Sequence, residues 1–105
     1  MKAPNIPTAP FYCLYLERIK KVANDHGYAM TLHGSMNRDC DICLVPWTND
    51  ASNGIQVMEG LCDELGVDIA DGDPELKPHG RKSYTLALMG TYFFDVSVLL
   101  IKNSD

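Results

Sequence analysis

Between residues 11 and 25, Phe11, Leu14, Tyr15, Ile19, Val22 and Ala23 recur at helical spacing, while Glu17, Arg18, Lys20 and Lys21 lie mostly elsewhere on the wheel. The spacing predicts a helix whose apolar stripe is core, stopped by Gly27 as a left-handed C-cap. Ahead of it, Pro4, Pro7 and Pro10 predict an extended arm over residues 1–10, with Thr8 as a candidate cap. Residues 28–33 read as a short strand that delivers the chain to a Gly34-Ser35 turn, and residues 39–47 read as a buried strand. Pro46 and the polar run 48–50 then break the pattern. A second helix is predicted over about residues 52–65, with Ile55, Met58, Leu61, Cys62 and Leu65 on one side and Gly66 as its stop. Gly60 inside it costs about 1 kcal/mol relative to Ala, which predicts close packing against a sheet.

Residues 67–70 are a candidate short strand, and residues 71–75 are acidic and turn-rich, hence a solvated loop. The stretch 77–82 is the one concentrated basic segment. Residues 83–89 and 92–101 read as two long strands joined at Gly90-Thr91, a hairpin signal. This order predicts an α/β or α+β fold: a small mixed β-sheet with helices packed on it, as a single domain over residues 1–105.

Composition narrows the class. A chain of 105 residues buries one modest core, and 46% apolar residues mark it as globular. A formal charge of −5 argues against broad electrostatic binding to DNA or RNA, although a local basic spot remains. Cys13, Cys40, Cys43 and Cys62 follow no secretory signal, and three sit in apolar runs. They are expected to be reduced thiols in small apolar core sites of a cytoplasmic protein. On a strand Cys40 and Cys43 face opposite ways and no second Cys/His pair accompanies them, so zinc is not expected. No apolar run reaches the roughly 18 residues of a membrane span.

The candidate chemistry is carboxylate. Asp39 and Asp41 stand one residue apart, so on a strand they share a face, with Cys40, Ile42 and Leu44 on the other. Paired carboxylates repel unless a proton or a cation sits between them, and a hard cation such as Mg²⁺ suits them. The plainer reading is that Asp39 ends a turn and only Asp41 begins the strand. Asp95, with Ser97 on its face, interrupts an otherwise apolar strand, where an ionised group needs a partner. A hydrogen bond from Ser83, Thr85 or a backbone N–H would meet that need as well as a metal would.

A Gly-Ser turn, Asp-x-Asp on a strand and a third acidic residue on a neighbouring strand resemble the DNA polymerase beta-like nucleotidyltransferase superfamily, in its small, minimal members. Gly34-Ser35 matches the turn, Asp39 and Asp41 the pair, and Asp95 the third carboxylate, over about residues 31–98. The runs around Arg38-Asp39-Cys40-Asp41, His79-Gly80-Arg81 and Phe94-Asp95-Val96-Ser97 also look like small proteins of phages and prophages. One departure is the spacing: only Met36, Asn37 and Arg38 separate the turn from Asp39, where the superfamily usually has a longer segment.

The resemblance implies transfer of a nucleotidyl group from a nucleoside triphosphate to a hydroxyl acceptor, the acceptor unspecified. Mg²⁺ or Mn²⁺ would be held by Asp39, Asp41 and Asp95, which would also be the catalytic residues. Gly34 and Ser35 would meet a phosphate, and Arg38, or the Arg81 and Lys82 pair, the remaining phosphate charge. Arg38 reads equally as a solvated turn residue and Lys82 as a strand-edge guard. His33 and His79 lack a visible nucleophile partner, and Trp47 is a core or rim residue as readily as a stacking platform. Two other classes stand beside the enzyme. One is a catalytically inactive nucleotidyltransferase-like accessory that binds nucleotide or protein, and the other is a small structural protein with hydrogen-bonded aspartates. A domain this small leaves room for a homodimer or a partner protein.

Overall fold

The computed structural model describes residues 8–89 and 92–99. Their order is α1 (Thr8–Asp25), β1 (Tyr28–His33), β2 (Asp39–Pro46), α2 (Gly54–Leu65), β3 (Glu75–Lys77), a short 3₁₀ turn (Pro78–Gly80), β4 (Arg81–Leu88) and β5 (Tyr92–Leu99). The five strands form one mixed sheet in the order β1-β2-β5-β4-β3, an α+β fold. β2 and β5 run parallel at the centre, and the other pairs are antiparallel.

Both helices contribute to a core built on one face of the sheet, and period 2 decides which residues meet it. Cys40, Ile42 and Leu44 on β2, Phe94, Val96 and Val98 on β5, and Tyr84, Leu86 and Leu88 on β4 are all buried. From the helices come Tyr12, Ile19 and Ala23 on α1 and Val57, Met58, Leu61 and Leu65 on α2. Phe11 stacks on Tyr92 at 3.8 Å, and Tyr12 meets Phe94 edge-on at 5.1 Å, so the first turns of α1 grip the start of β5. Among the described residues, no helix is long and apolar enough to cross a membrane.

Several sequence expectations shift. The helix begins at Thr8, because Pro10 falls in the first turn, where its missing N–H breaks no helical bond. Residues 1–7 of the expected arm lie outside the described residues. Leu14 is 70% exposed and Tyr12 takes the core position, since both are apolar and only packing separates them. The second helix starts later than expected, with Asn53 as N-cap in a capping box with Gln56. Gly60 packs against α1 and not the sheet: a Cβ there would lie 2.9 Å from His26 Nε2 and 3.1 Å from Val22 Cγ1. Residues 67–70 supply one bridge, Ile69 to Leu86, in place of a strand. Glu75–Lys77, expected as loop and basic segment, is an edge strand. The β4–β5 pairing agrees with the hairpin expectation, though Gly90, Thr91 and Ile101 lie outside the described residues. All four cysteines are free thiols, but only Cys40 is a buried core site: Cys62 packs half-buried against the core, Cys43 is half-buried on the opposite sheet face, and Cys13 is exposed. Burial lifts the Cys40 thiol to about 11, with the Asp41 charge adding to it, so it is inert near neutral pH.

Candidate active site

The sheet face opposite the helices carries the odd-numbered strand residues, and it is polar at its centre. Asp41 on β2 and Asp95 on β5 are direct register partners. Parallel partners project to the same side from strands about 4.8 Å apart, so the two carboxylates face each other across one strand gap. Asp39 stands one repeat earlier on β2, on the same face, beside Phe93 and exposed. The common phase expected for the three aspartates therefore holds.

The electrostatics follow from that placement. Burial pushes the Asp41 carboxyl above its ordinary value, and the Asp95 charge pushes the same way. His33, its register partner on β1, works against the shift, and Asp39 adds a smaller upward push. Asp95 has one oxygen engaged: Ser83 donates from Oγ to Asp95 Oδ1 at 2.7 Å. The hydrogen-bonded alternative for Asp95 is thus partly realised, by the serine that its strand phase offered.

The Gly34-Ser35 turn is built against Asp41. Gly34 adopts φ +78°, and a Cβ there would lie 2.7 Å from Asp41 Oδ2. Glycine is required both by its backbone conformation and by the approach of the carboxylate. Ser35 Oγ accepts from Asn37 N at 3.2 Å, which closes the turn, and Met36 also takes a positive φ of 60°. Arg38 is exposed, while its backbone is fixed: Tyr12 donates from its hydroxyl to Arg38 O at 2.5 Å and accepts from Phe93 N at 3.0 Å. One buried phenol therefore ties the segment before Asp39 to the strand of Asp95. Tyr12 falls outside the stripe that the helical spacing of Phe11, Leu14, Tyr15 and Ile19 picks out.

The expected Arg81 and Lys82 pair is divided by its strand. Arg81 shares the face of Asp95, with Nη1 donating to Ser97 Oγ at 3.4 Å. Lys82 has the phase of Tyr84 and Leu86, the helix-covered side. The cation beside Arg81 on the open face is Lys77, its register partner on β3. Lys77 opens the basic segment 77–82, but a three-residue strand is too short to display the period 2 that puts it on the face of Arg81. His33 is exposed, Trp47 is 67% exposed at the rim, and the His79 side chain lies outside what the structure describes.

The donor chemistry of Asp41 and Asp95 fits a hard divalent cation: carboxylate oxygens, side by side, with Asp41 disfavouring its charged form. Among the described residues, no three His, Cys, Asp or Glu side chains are gathered into a group that could hold a metal ion. No protein-family model matches the chain, and no curated protein matches it. The residues alone carry the comparison with nucleotidyltransferases.

Proposed function

We propose that the open face is a nucleotidyl-transfer site that uses a nucleoside triphosphate and Mg²⁺ or Mn²⁺. The observation that carries this reading is the direct register of Asp41 with Asp95, with the Gly34 backbone against Asp41. In the reaction the acceptor hydroxyl oxygen forms a bond to the α-phosphorus, and the bond from that phosphorus to the bridging oxygen breaks. Pyrophosphate leaves with the electron pair, and the hydroxyl proton passes through the Asp95 carboxylate to solvent. The metal, when bound, neutralises phosphate charge, so the chemistry needs positioning more than a protein nucleophile.

Each residue has a part that its placement supports. Asp41 and Asp95 would supply hard oxygen ligands to the cation, with Asp39 one repeat away on β2 as the further carboxylate of that face, and Ser83 fixes the orientation of Asp95. Gly34 lets backbone approach a phosphate beside Asp41, and Ser35 and Arg38 stand in the adjoining exposed turn to meet its oxygens. Tyr12 positions the turn and β5 relative to each other.

The Ser83 to Asp95 hydrogen bond favours a second reading, an inactive relative that binds a nucleotide without turning it over in a phage or bacterial assembly. The two separate in one experiment: thermal unfolding with and without millimolar Mg²⁺ or Mn²⁺ and a triphosphate, with pyrophosphate release followed in parallel. A ligand binding only the native state at a hundredfold excess over Kd stabilises by about 2.7 kcal/mol. Metal-dependent stabilisation with pyrophosphate release is the expected result. Stabilisation without release, across a panel of added hydroxyl acceptors, would favour the binding protein. Identical melting in every condition would leave the aspartates structural and end both readings.

A further inference from the structure

On the open face the Asp41 and Asp95 pair stands apart from the cations Lys77 and Arg81, whose flank carries one carboxylate of its own, Glu75. The Asp41 and Asp95 pair occupies the central strands, with the Gly34 turn on the β1 side of Asp41. The cations stand on the opposite flank. Lys77 on β3 and Arg81 on β4 are register partners, and the β4–β5 register puts their face on the same side as Asp95 and Ser97. Arg81 lies toward the far end of β5, opposite Leu99, yet its side chain turns back toward the centre to reach Ser97.

The bonds these groups make leave their charge available. Arg81 donates to Ser97 Oγ at 3.4 Å and from Nε to Pro78 O at 3.3 Å, two long contacts to neutral oxygens. A guanidinium binds a charged oxygen pair more strongly than such acceptors. Lys77 Nζ meets Glu75 Oε1 at 2.7 Å, but the pair is exposed, and exposed pairs hold weakly. The Glu75 carboxylate, and more weakly the Asp95 charge, hold the Lys77 ammonium above its ordinary value. Ser97 is 7% exposed beneath Arg81, which gives the corner a nearly buried hydroxyl floor.

We propose that Lys77, Arg81 and Ser97 form a phosphate-binding corner for the acceptor, so that the acceptor is a phosphate monoester whose hydroxyl is presented to Asp95. This rests on the nucleotidyl-transfer reading of Asp41 and Asp95. With the triphosphate at the Gly34 end, the corner is the flank left for the second substrate. A guanidinium fork, an ammonium and a hydroxyl match the oxygens of one phosphate. Two cations on a chain of formal charge −5 suit a single phosphate group and not a polynucleotide backbone. The acceptor's own phosphate is held and not transferred, so the bonds that change are those given above.

The test is an amide NMR titration of the full chain with glycerol phosphate, against glycerol and a short single-stranded oligonucleotide. A separate sample receives Mn²⁺, whose paramagnetic broadening marks cation binding at Asp41 and Asp95. Saturable shifts at Lys77, Arg81 and Ser97 with glycerol phosphate, and none with glycerol, are expected. Arg81→Gln should weaken binding by about tenfold, as expected for one charge-assisted contact. Lys77→Gln, a change on an edge strand with no effect expected on folding, should weaken it several-fold. Shifts scattered over the surface, or indifferent to Lys77→Gln, would overturn the corner. Tighter binding of the oligonucleotide would overturn the monoester assignment. Broadening at the aspartates without a phosphate response sinks the corner alone. A phosphate response without broadening sinks nucleotidyl transfer and with it the acceptor role.

Discussion

The two faces of the central strands are made of alternate residues of the same short segments, yet their physics is opposite. Cys40, Ile42, Phe94 and Val96 lie under the helices and are fully buried, so removing them from water stabilises the fold. Asp41 and Asp95, one residue away from these, are only half-buried and hold like charges in register, which costs stability. Stability and candidate chemistry are thus interleaved at single-residue spacing. A substitution at Phe94 and one at Asp95 should differ in kind, although the residues are neighbours.

The largest effect is expected on the covered side. Phe94→Ala should lose about 3–5 kcal/mol in denaturant unfolding, as for other buried aromatics. A loss as large at Asp95→Ala would break the contrast, because it would make the open face a second source of stability. Tyr12→Phe comes next and tests the link between faces. It leaves Arg38 O and Phe93 N without their partner, a cost of about 1–3 kcal/mol, and should also weaken any cation response through Asp39. A stability loss that leaves the cation response whole would confine Tyr12 to the core. Gly34→Ala should cost about 1–2 kcal/mol for its left-handed backbone and disturb Asp41 directly. An unchanged melting temperature would contradict the close approach at that turn.

The smallest change in stability, and the one of opposite sign, is expected at Asp41. A carboxyl raised in the folded state contributes stability that is present below its unfolded value, near 3.8, and lost as pH rises through the folded value. The parent should therefore lose stability from this group between acid and neutral pH. Asp41→Asn should remove that slope, raise apo stability at neutral pH and abolish any gain from Mg²⁺. A less stable mutant with the slope intact would mean that the Asp41 carboxylate is a structural hydrogen-bond acceptor.

Much of this contrast was legible in the sequence. Period 2 placed Asp39 with Asp41 and Asp95 with Ser97, and it put Cys40, Ile42 and Leu44 on the apolar side. What pattern within a strand cannot convey is register between strands. That Asp41 meets Asp95 follows from the parallel β2–β5 pairing, which depends on how α2, β3 and β4 return the chain. The same alternation, applied at residues 81 and 82, separates Arg81 from Lys82. Charge density along the chain groups those two cations, whereas strand phase puts them on opposite faces. Lys77 was hidden in a three-residue strand next to prolines and charges. Tyr12 was obscured because the first helical turns are apolar nearly all round, so only contact with Phe94 and Phe93 picks it out from Leu14.

The strand order has a consequence for how the molecule assembles. β5 is the last described element along the chain, yet it sits in the middle of the sheet. β4 and β5 pair as a local hairpin that also carries β3, whereas β1–β2 is a separate antiparallel pair whose other neighbour in the sheet is β5. Docking of β5 onto β2 is the non-local step, since it closes a large loop. The like charges of Asp41 and Asp95 meet only at that step. Their repulsion should therefore shorten the lifetime of the finished fold while leaving the early collapse of either hairpin untouched.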